Sequence, residues 1–238
     1  MGAQWKHSGR LANASKRGAV FGKAVKEIIV AAKLGGPNPE GNFRLRAALE
    51  NARKISVPRD TIERGIKRGA GLLDPIQYDT VIYEGFAPHQ VPVIVECLTD
   101  NKNRTAADIR VLFRKGQLGN TGAVSWMFDR EGVIEATHSD GSLDLETVAI
   151  EVGAQSVEPL SQEEKSDAAI GGRFSCDPSD LDQAQKQLTL LGFNVSLCEL
   201  GYKAKTPLVL SEAALKEASE FLAAIDDHDD VHRVYTAI

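Results

Sequence analysis

The sequence predicts an α+β multidomain fold: an N-terminal three-helix basic domain followed by two α/β domains, the last a ferredoxin-like insertion. Three observations predict it. Apolar residues recur at helical spacing through the first part of the chain, where basic charge is concentrated. From Tyr78 the pattern changes to period two and to β-branched residues. Elements between Gly132 and Lys203 then run β-α-β-β-α-β, the order of a split βαβ sheet. The domains so drawn are 1–76, then 77–131 joined with 207–238, with 132–206 inserted between those two parts.

Met1 to Ser15 has no apolar period, carries Lys6, His7 and Arg10 around Trp5, and reads as a flexible arm. From Lys16 the pattern is helical. Val20, Phe21, Ala24, Val25, Ile28, Ile29 and Ala32 share one side, with Lys16, Lys23, Lys26 and Lys33 opposite. Gly35, Gly36 and Pro37 end this helix, since glycine accepts a left-handed cap and proline cannot continue the turn. A second helix, Asn42 to Lys54, buries Leu45, Ala48, Leu49 and Ala52 and leaves Arg44, Arg46, Arg53 and Lys54 outside. A third starts near Ser56 and Pro58. It has Asp60 and Glu63 in its first turn and Arg64, Lys67 and Arg68 before Gly69, which suits the helix dipole at both ends.

The first α/β block reads as strands Tyr78–Phe86 and Val91–Thr99, a helix Thr105–Lys115 and a strand Ala123–Phe128. Asn101, Asn103 and Thr105 mark the helix start, with Asp108 three residues after Thr105 as a capping-box variant. The loop Gly116–Gly122 lacks the Lys-Ser/Thr of a P-loop and follows a helix rather than opening one, so it reads as a connection. The second block reads as strand Val133–Ala136, helix Leu143–Val152, strands Gln155–Glu158 and Gly172–Cys176, helix Asp180–Leu191 and strand Asn194–Leu200. Beyond Pro207, a helix Glu212–Ile225 and a strand Val231–Thr236 supply the α-β pair that completes the first block.

Composition narrows the function. No apolar run approaches the roughly 20 residues that cross a bilayer, and no apolar segment follows the N-terminal charges as in a secretory signal, so a cytoplasmic location is expected. Cys97, Cys176 and Cys198 form no C-x-x-C pair and read as buried thiols. The net charge of -5 is unevenly spread. Residues 1–70 hold 15 Lys or Arg against five acids, a net of +10, and the other 168 residues hold 13 against 28, a net of -15. The screening length at physiological salt is about 8 Å, so the acidic part cannot cancel the basic part at contact range. Glu27 is the one acid among the lysines of the first helix, which leaves positive charge for phosphate. The expected nucleic-acid contacts are Lys16, Arg17, Lys23, Lys26, Arg44, Arg46, Arg53, Lys54, Arg64, Lys67 and Arg68, with Arg104 an outlier; the acidic domains offer a surface for a basic protein partner. His138 and His228 lie beside carboxylates, Ser139-Asp140 and Asp226–Asp230, but the latter lacks calcium-loop spacing and is expected to be a solvated turn. No Ser/His/Asp, H-E-x-x-H or G-x-G-x-x-G pattern marks a catalytic, metal or cofactor site, and no small-molecule substrate is indicated.

Several motifs together resemble the YebC/PmpR family, which includes the mitochondrial translational activator of cytochrome c oxidase. They are Lys16-Arg17-Gly18, Asn42-x-Arg44-Leu45-Arg46, Pro58-x-Asp60-x-Ile62-x-Arg64-x-Ile66-Lys67-x-Gly69-x-Gly71 and Tyr83-Glu84-Gly85. Val95-Glu96-Cys97-Leu98-Thr99-Asp100-Asn101-x-Asn103-Arg104-Thr105, Gly122-x-Val124-Ser125-Trp126-x-Phe128 and Asp229-Asp230-Val231 continue them. The resemblance implies three domains, the third inserted in the second, and a cytoplasmic regulator without enzyme activity. Members are described as DNA-binding transcriptional regulators, and others as translation factors acting on the ribosome. The expected function is therefore a DNA-binding transcriptional regulator, the alternative a ribosome-associated translation factor that holds ribosomal RNA. Many members open Gly-His-Ser-Lys-Trp, whereas this chain opens Met1-Gly-Ala-Gln-Trp5-Lys-His-Ser8.

Overall fold

The computed structural model describes residues 16–74, 76–162 and 168–238, without the side chains of Lys16, Arg17, Ala19 and Phe43. The arm before Lys16, with Trp5, Lys6, His7 and Arg10, lies outside the described residues. The first helices are α1 (Lys16–Gly35), α2 (Phe43–Lys54) and α3 (Arg59–Gly69). Ala24, Ile28, Ala31, Leu45, Leu49, Ala52 and Ile62 close on one another as their core. Buried Asn42 fastens the corner between α1 and α2: its side-chain oxygen caps Leu45 N–H at 3.0 Å while its amide donates to the carbonyls of Ala31 (2.7 Å) and Gly36 (2.8 Å). Gly69 lets α3 touch α1, because a Cβ there would fall 2.4 Å from the Ile29 carbonyl oxygen.

The first sheet has the order β3-β1-β2-β8. Its strands are β1 (Asp79–Ala87), β2 (Val91–Thr99), β3 (Gln117–Leu118) and β8 (Val231–Thr236), each antiparallel to its neighbours. The last strand of the chain thus sits beside the second, joining segments far apart in sequence. Helices α4 (Lys102–Leu112) and α7 (Glu212–Asp226) cover one face, burying Val93, Val95, Cys97, Ile109, Phe113, Phe221 and Leu222. The second sheet, order β5-β6-β4-β7, is built from β4 (Phe128–His138), β5 (Ser156–Pro159), β6 (Ile170–Cys176) and β7 (Asn194–Ala204), again antiparallel. Helices α5 (Leu145–Glu151) and α6 (Leu181–Leu190) pack on it over Ile134, Val148, Phe174, Leu188 and Phe193.

Three readings of the sequence need correction. Ala123–Phe128 is not a strand; Ser125–Met127 is a single 3-10 turn, and β4 begins at Phe128 in the second sheet, opposite Ala204. The cause is Glu84, whose carboxylate takes the backbone N–H groups of Gly122, Val124 and Ser125 at 2.8, 2.9 and 2.8 Å, leaving them none to give to a ladder. The third strand of the first sheet instead lies within the loop read as a connection, where Gln117 and Leu118 pair with Phe86 and Gly85. Finally, α4 starts at Lys102 with Asn101 as its cap, Oδ1 accepting from Arg104 N–H at 3.1 Å, because the Thr105 hydroxyl is turned inward to Asp230.

Candidate nucleic-acid interface

The basic residues of the first three helices divide into two sets with different surroundings. Lys23, Lys26 and Arg44 are held inside the chain. Lys23 Nζ donates to the Asp226 carbonyl, and Lys26 Nζ donates to Asp230 Oδ1 (2.5 Å) and to the Asp229 carbonyl (3.0 Å). Arg44 grips Glu27 with two hydrogen bonds, 2.7 and 3.2 Å. Lys23 and Lys26 are struts from the helical bundle to the segment before β8, while Arg44 ties α2 to α1 within the bundle; the charges of Lys26 and Arg44 are already compensated by carboxylates. The side chains of Lys16 and Arg17 lie outside the described residues.

Asp230 is the centre of the first strut system. It is 3% exposed, and besides Lys26 its carboxylate accepts from the Thr105 hydroxyl (2.8 Å), the Thr99 hydroxyl (3.3 Å) and Arg104 (3.0 Å). Burial works against its ionisation, but the bonds from Lys26, Thr105 and Arg104 hold its pKa down to about 2. Arg104, the outlier of the sequence reading, also binds Asp100 at 2.8 Å and so belongs to this network. The cleft beside it, about 490 Å³, is lined by Lys26 and Arg104 together with Asp100, Asp108 and Asp229, and its charges largely face one another. The histidine beside the Asp226–Asp230 carboxylates is also structural: His228 Nδ1 accepts from Asp230 N–H at 3.1 Å and Nε2 lies 3.3 Å from Asp108. His138 accepts from Asp140 N–H and stacks near Phe193.

A second buried network joins all three parts. Glu27 on α1 meets Arg44 on α2 and His232 Nε2 on β8 at 3.1 Å, and Arg233 on β8 binds Glu199 on β7 at 2.8 and 2.5 Å. Burial, and then the neighbouring Arg233, push His232 down to about 4, so it stays neutral near pH 7.

The other set faces solvent. Arg53, Lys54, Lys67 and Arg68 are exposed and make no ion pair or side-chain hydrogen bond among the described residues. Among the described residues, Arg46 donates only to the carbonyls of Pro39 and Glu40, and Arg64 only to the Asp60 carbonyl and Thr61 hydroxyl, so neither has a carboxylate partner there. Arg46 and Arg53 are seven residues apart, two helical turns, and project from one side of α2. Arg64, Lys67 and Arg68 fall within the last turns of α3. Arg59 is the exception on α3, paired with Glu63 at 2.9 Å. The partner that sequence reasoning missed is Asp230, because nothing local to Lys26 points to it. Two of the three thiols are buried as expected, Cys97 and Cys176, with burial raising Cys97 to about 12, whereas Cys198 is only half-buried. No helix among the described residues is long and apolar enough to cross a membrane.

Residues 3–72 match the family model for the TACO1/YebC protein N-terminal domain, and residues 78–238 match that for the TACO1/YebC second and third domain. A protein of Polaromonas sp. named "Probable transcriptional regulatory protein" is 49% identical over 242 residues, covering 100% of this chain and 99% of that one. A protein of the same description from Bdellovibrio bacteriovorus is 46% identical over 241 residues, 100% of each chain. The crystal structure of a conserved hypothetical protein from Aquifex aeolicus superposes with a TM-score of 0.80 at 38% identity, over 99% of this chain and 95% of that one.

Proposed function

The chain belongs to the TACO1/YebC family, and from that premise we propose that it is a DNA-binding transcriptional regulator whose N-terminal bundle holds the phosphate backbone. The observation that carries the reading is the uncompensated, outward-facing charge of Arg46, Arg53, Lys54, Arg64, Lys67 and Arg68. Each cation that neutralises a phosphate releases a condensed counterion, which favours binding without reading sequence. The printed names of the relatives support a regulatory role. The protein acts in the cytoplasm, where its three free thiols stay reduced, and no chemical step is assigned to it.

The test is the salt dependence of binding to a labelled DNA duplex, for the parent and for the triple variant Arg53→Glu, Lys54→Glu, Arg68→Glu. The expected slope of log affinity against log salt falls by about 0.9 per lost contact. An unchanged slope refutes the assignment of these residues.

A further inference from the structure

Two motifs are not used by the basic bundle: Tyr83-Glu84-Gly85 on β1, and Gly122-x-Val124-Ser125-Trp126-x-Phe128 in the passage to β4. In the structure they form one device. Glu84 is 5% exposed, and its carboxylate has no cationic partner among the described residues; it is satisfied by the three backbone N–H groups of Gly122, Val124 and Ser125. Gly119 N–H adds a fourth bond at 2.8 Å, to the Glu84 carbonyl. Gly122 sits at φ +89°, a conformation that a side chain would oppose. Burying a carboxylate is unfavourable unless such bonds answer it, so the loop is fixed in one shape at the expense of a charged core residue.

What this rigid loop displays is Trp126, 67% exposed. Its indole N–H is already satisfied, donating to the Ala123 carbonyl at 3.1 Å, so the ring is pinned by its edge and its face is open. The surroundings are polar. Asn120, Thr121 and Arg130 are exposed nearby in sequence, and Lys205, brought alongside by its N–H bond to the Met127 carbonyl at 3.0 Å, pairs its ammonium with Asp129 at 3.5 Å, which leaves Arg130 as the cation of this stretch with no carboxylate partner among the described residues. A protein–protein anchor of this kind would lie within an apolar patch. A single fixed aromatic face with an unpaired arginine four residues on is an arrangement on which a nucleobase can stack, its phosphate meeting that cation.

We propose that the Trp126 loop is a second nucleic-acid contact, a preorganised platform for one unpaired nucleobase. This rests on the nucleic-acid reading of the basic bundle, and it gives that bundle's target a preferred form, a duplex continuous with an unpaired strand.

The experiment uses the full chain carrying Trp5→Phe, which leaves Trp126 as the sole tryptophan, and two DNA probes: a blunt duplex and the same duplex with a 15-nucleotide single-stranded overhang. Binding is followed by anisotropy of the labelled DNA and by Trp126 emission. One stacked base is worth about 1–3 kcal/mol, so the overhang is expected to tighten binding roughly tenfold and to quench Trp126. Trp126→Ala is expected to remove that tenfold gain and Trp126→Phe to keep most of it. An overhang that leaves emission unchanged while anisotropy reports binding overturns the platform and leaves the basic bundle as the contact. The same holds if Trp126→Ala retains the full gain. If neither probe binds, the nucleic-acid reading itself fails, and the platform with it.

Discussion

Replacing Asp230 with asparagine tests whether the bundle is locked to the first sheet by charge. Asparagine keeps the shape but presents one amide, a donor, where Lys26, Thr105 and Arg104 all donate. Either amide orientation sets donor against donor. A carboxylate held near pKa 2 in the folded chain and near 3.9 when unfolded contributes about 2.6 kcal/mol. Removing one partner of a buried pair costs about 3 kcal/mol or more, because the other charge is stranded, and Lys26 here is only 17% exposed. Taking about 2–3 kcal/mol, thermal unfolding should fall by roughly 4–12 °C at pH 7. The pH dependence gives the sign. Because the folded pKa lies below the unfolded one, the contribution is complete above about pH 5 and is lost as pH falls toward 2. Melting curves of parent and Asp230→Asn, followed by circular dichroism from pH 7 downward, should therefore converge as acid is added. Equal melting at pH 7, or a gap that stays constant down to the lowest pH at which both remain folded, refutes the reasoning.

Two further variants probe other buried titratable groups. Glu84→Gln should lower stability by about 2 kcal/mol at pH 7, since it turns an acceptor of three N–H groups into a mixed group, and limited proteolysis should cut within 119–126. Glu84 is held below the usual carboxylate range despite burial, by those backbone bonds, so this contribution too is present above the unfolded pKa and fades in acid. His232 is pushed in the opposite direction from a paired histidine: burial lowers it to about 4, so the folded state resists its protonation and stability drops as pH falls from about 6.5 to 4. His232→Gln should flatten that part of the stability curve, and an unaltered curve would show that some other group titrates there.

Much of the architecture was legible because its signals are local. The Gly35-Gly36-Pro37 stop, the Asn42 start and the period-two runs from Tyr78 and Val91 each depend on neighbours within a turn or a strand. Ala123–Phe128 misled for the same reason. Its residues have strand composition, but their N–H groups are claimed by Glu84, some 40 residues earlier, and no window of sequence contains both. The charges divide in the same way. Lys26 looked unpaired among lysines, since Asp230 lies 204 positions away, while Arg53, Lys54, Lys67 and Arg68 looked unpaired and are so among the described residues.

That division changes what a charge substitution can report. Thr99, Arg104, Thr105 and Asp230 belong to motifs that carry the family resemblance, and the first three converge with Lys26 on the Asp230 carboxylate. Their chemistry is domain docking, so these motifs specify how the bundle is presented, whereas Arg46, Arg64 and Lys67 of the same signature face outward. A substitution at Lys26 or Arg44 would weaken binding through loss of orientation and stability, whether or not either residue ever meets a phosphate. Only the outward set can separate the two causes, because removing a solvated, unpaired cation leaves no buried carboxylate stranded and alters the salt dependence directly. For that reason a flattened slope in the Arg53, Lys54, Arg68 variant, with melting unchanged, is the result that assigns the contact to α2 and α3.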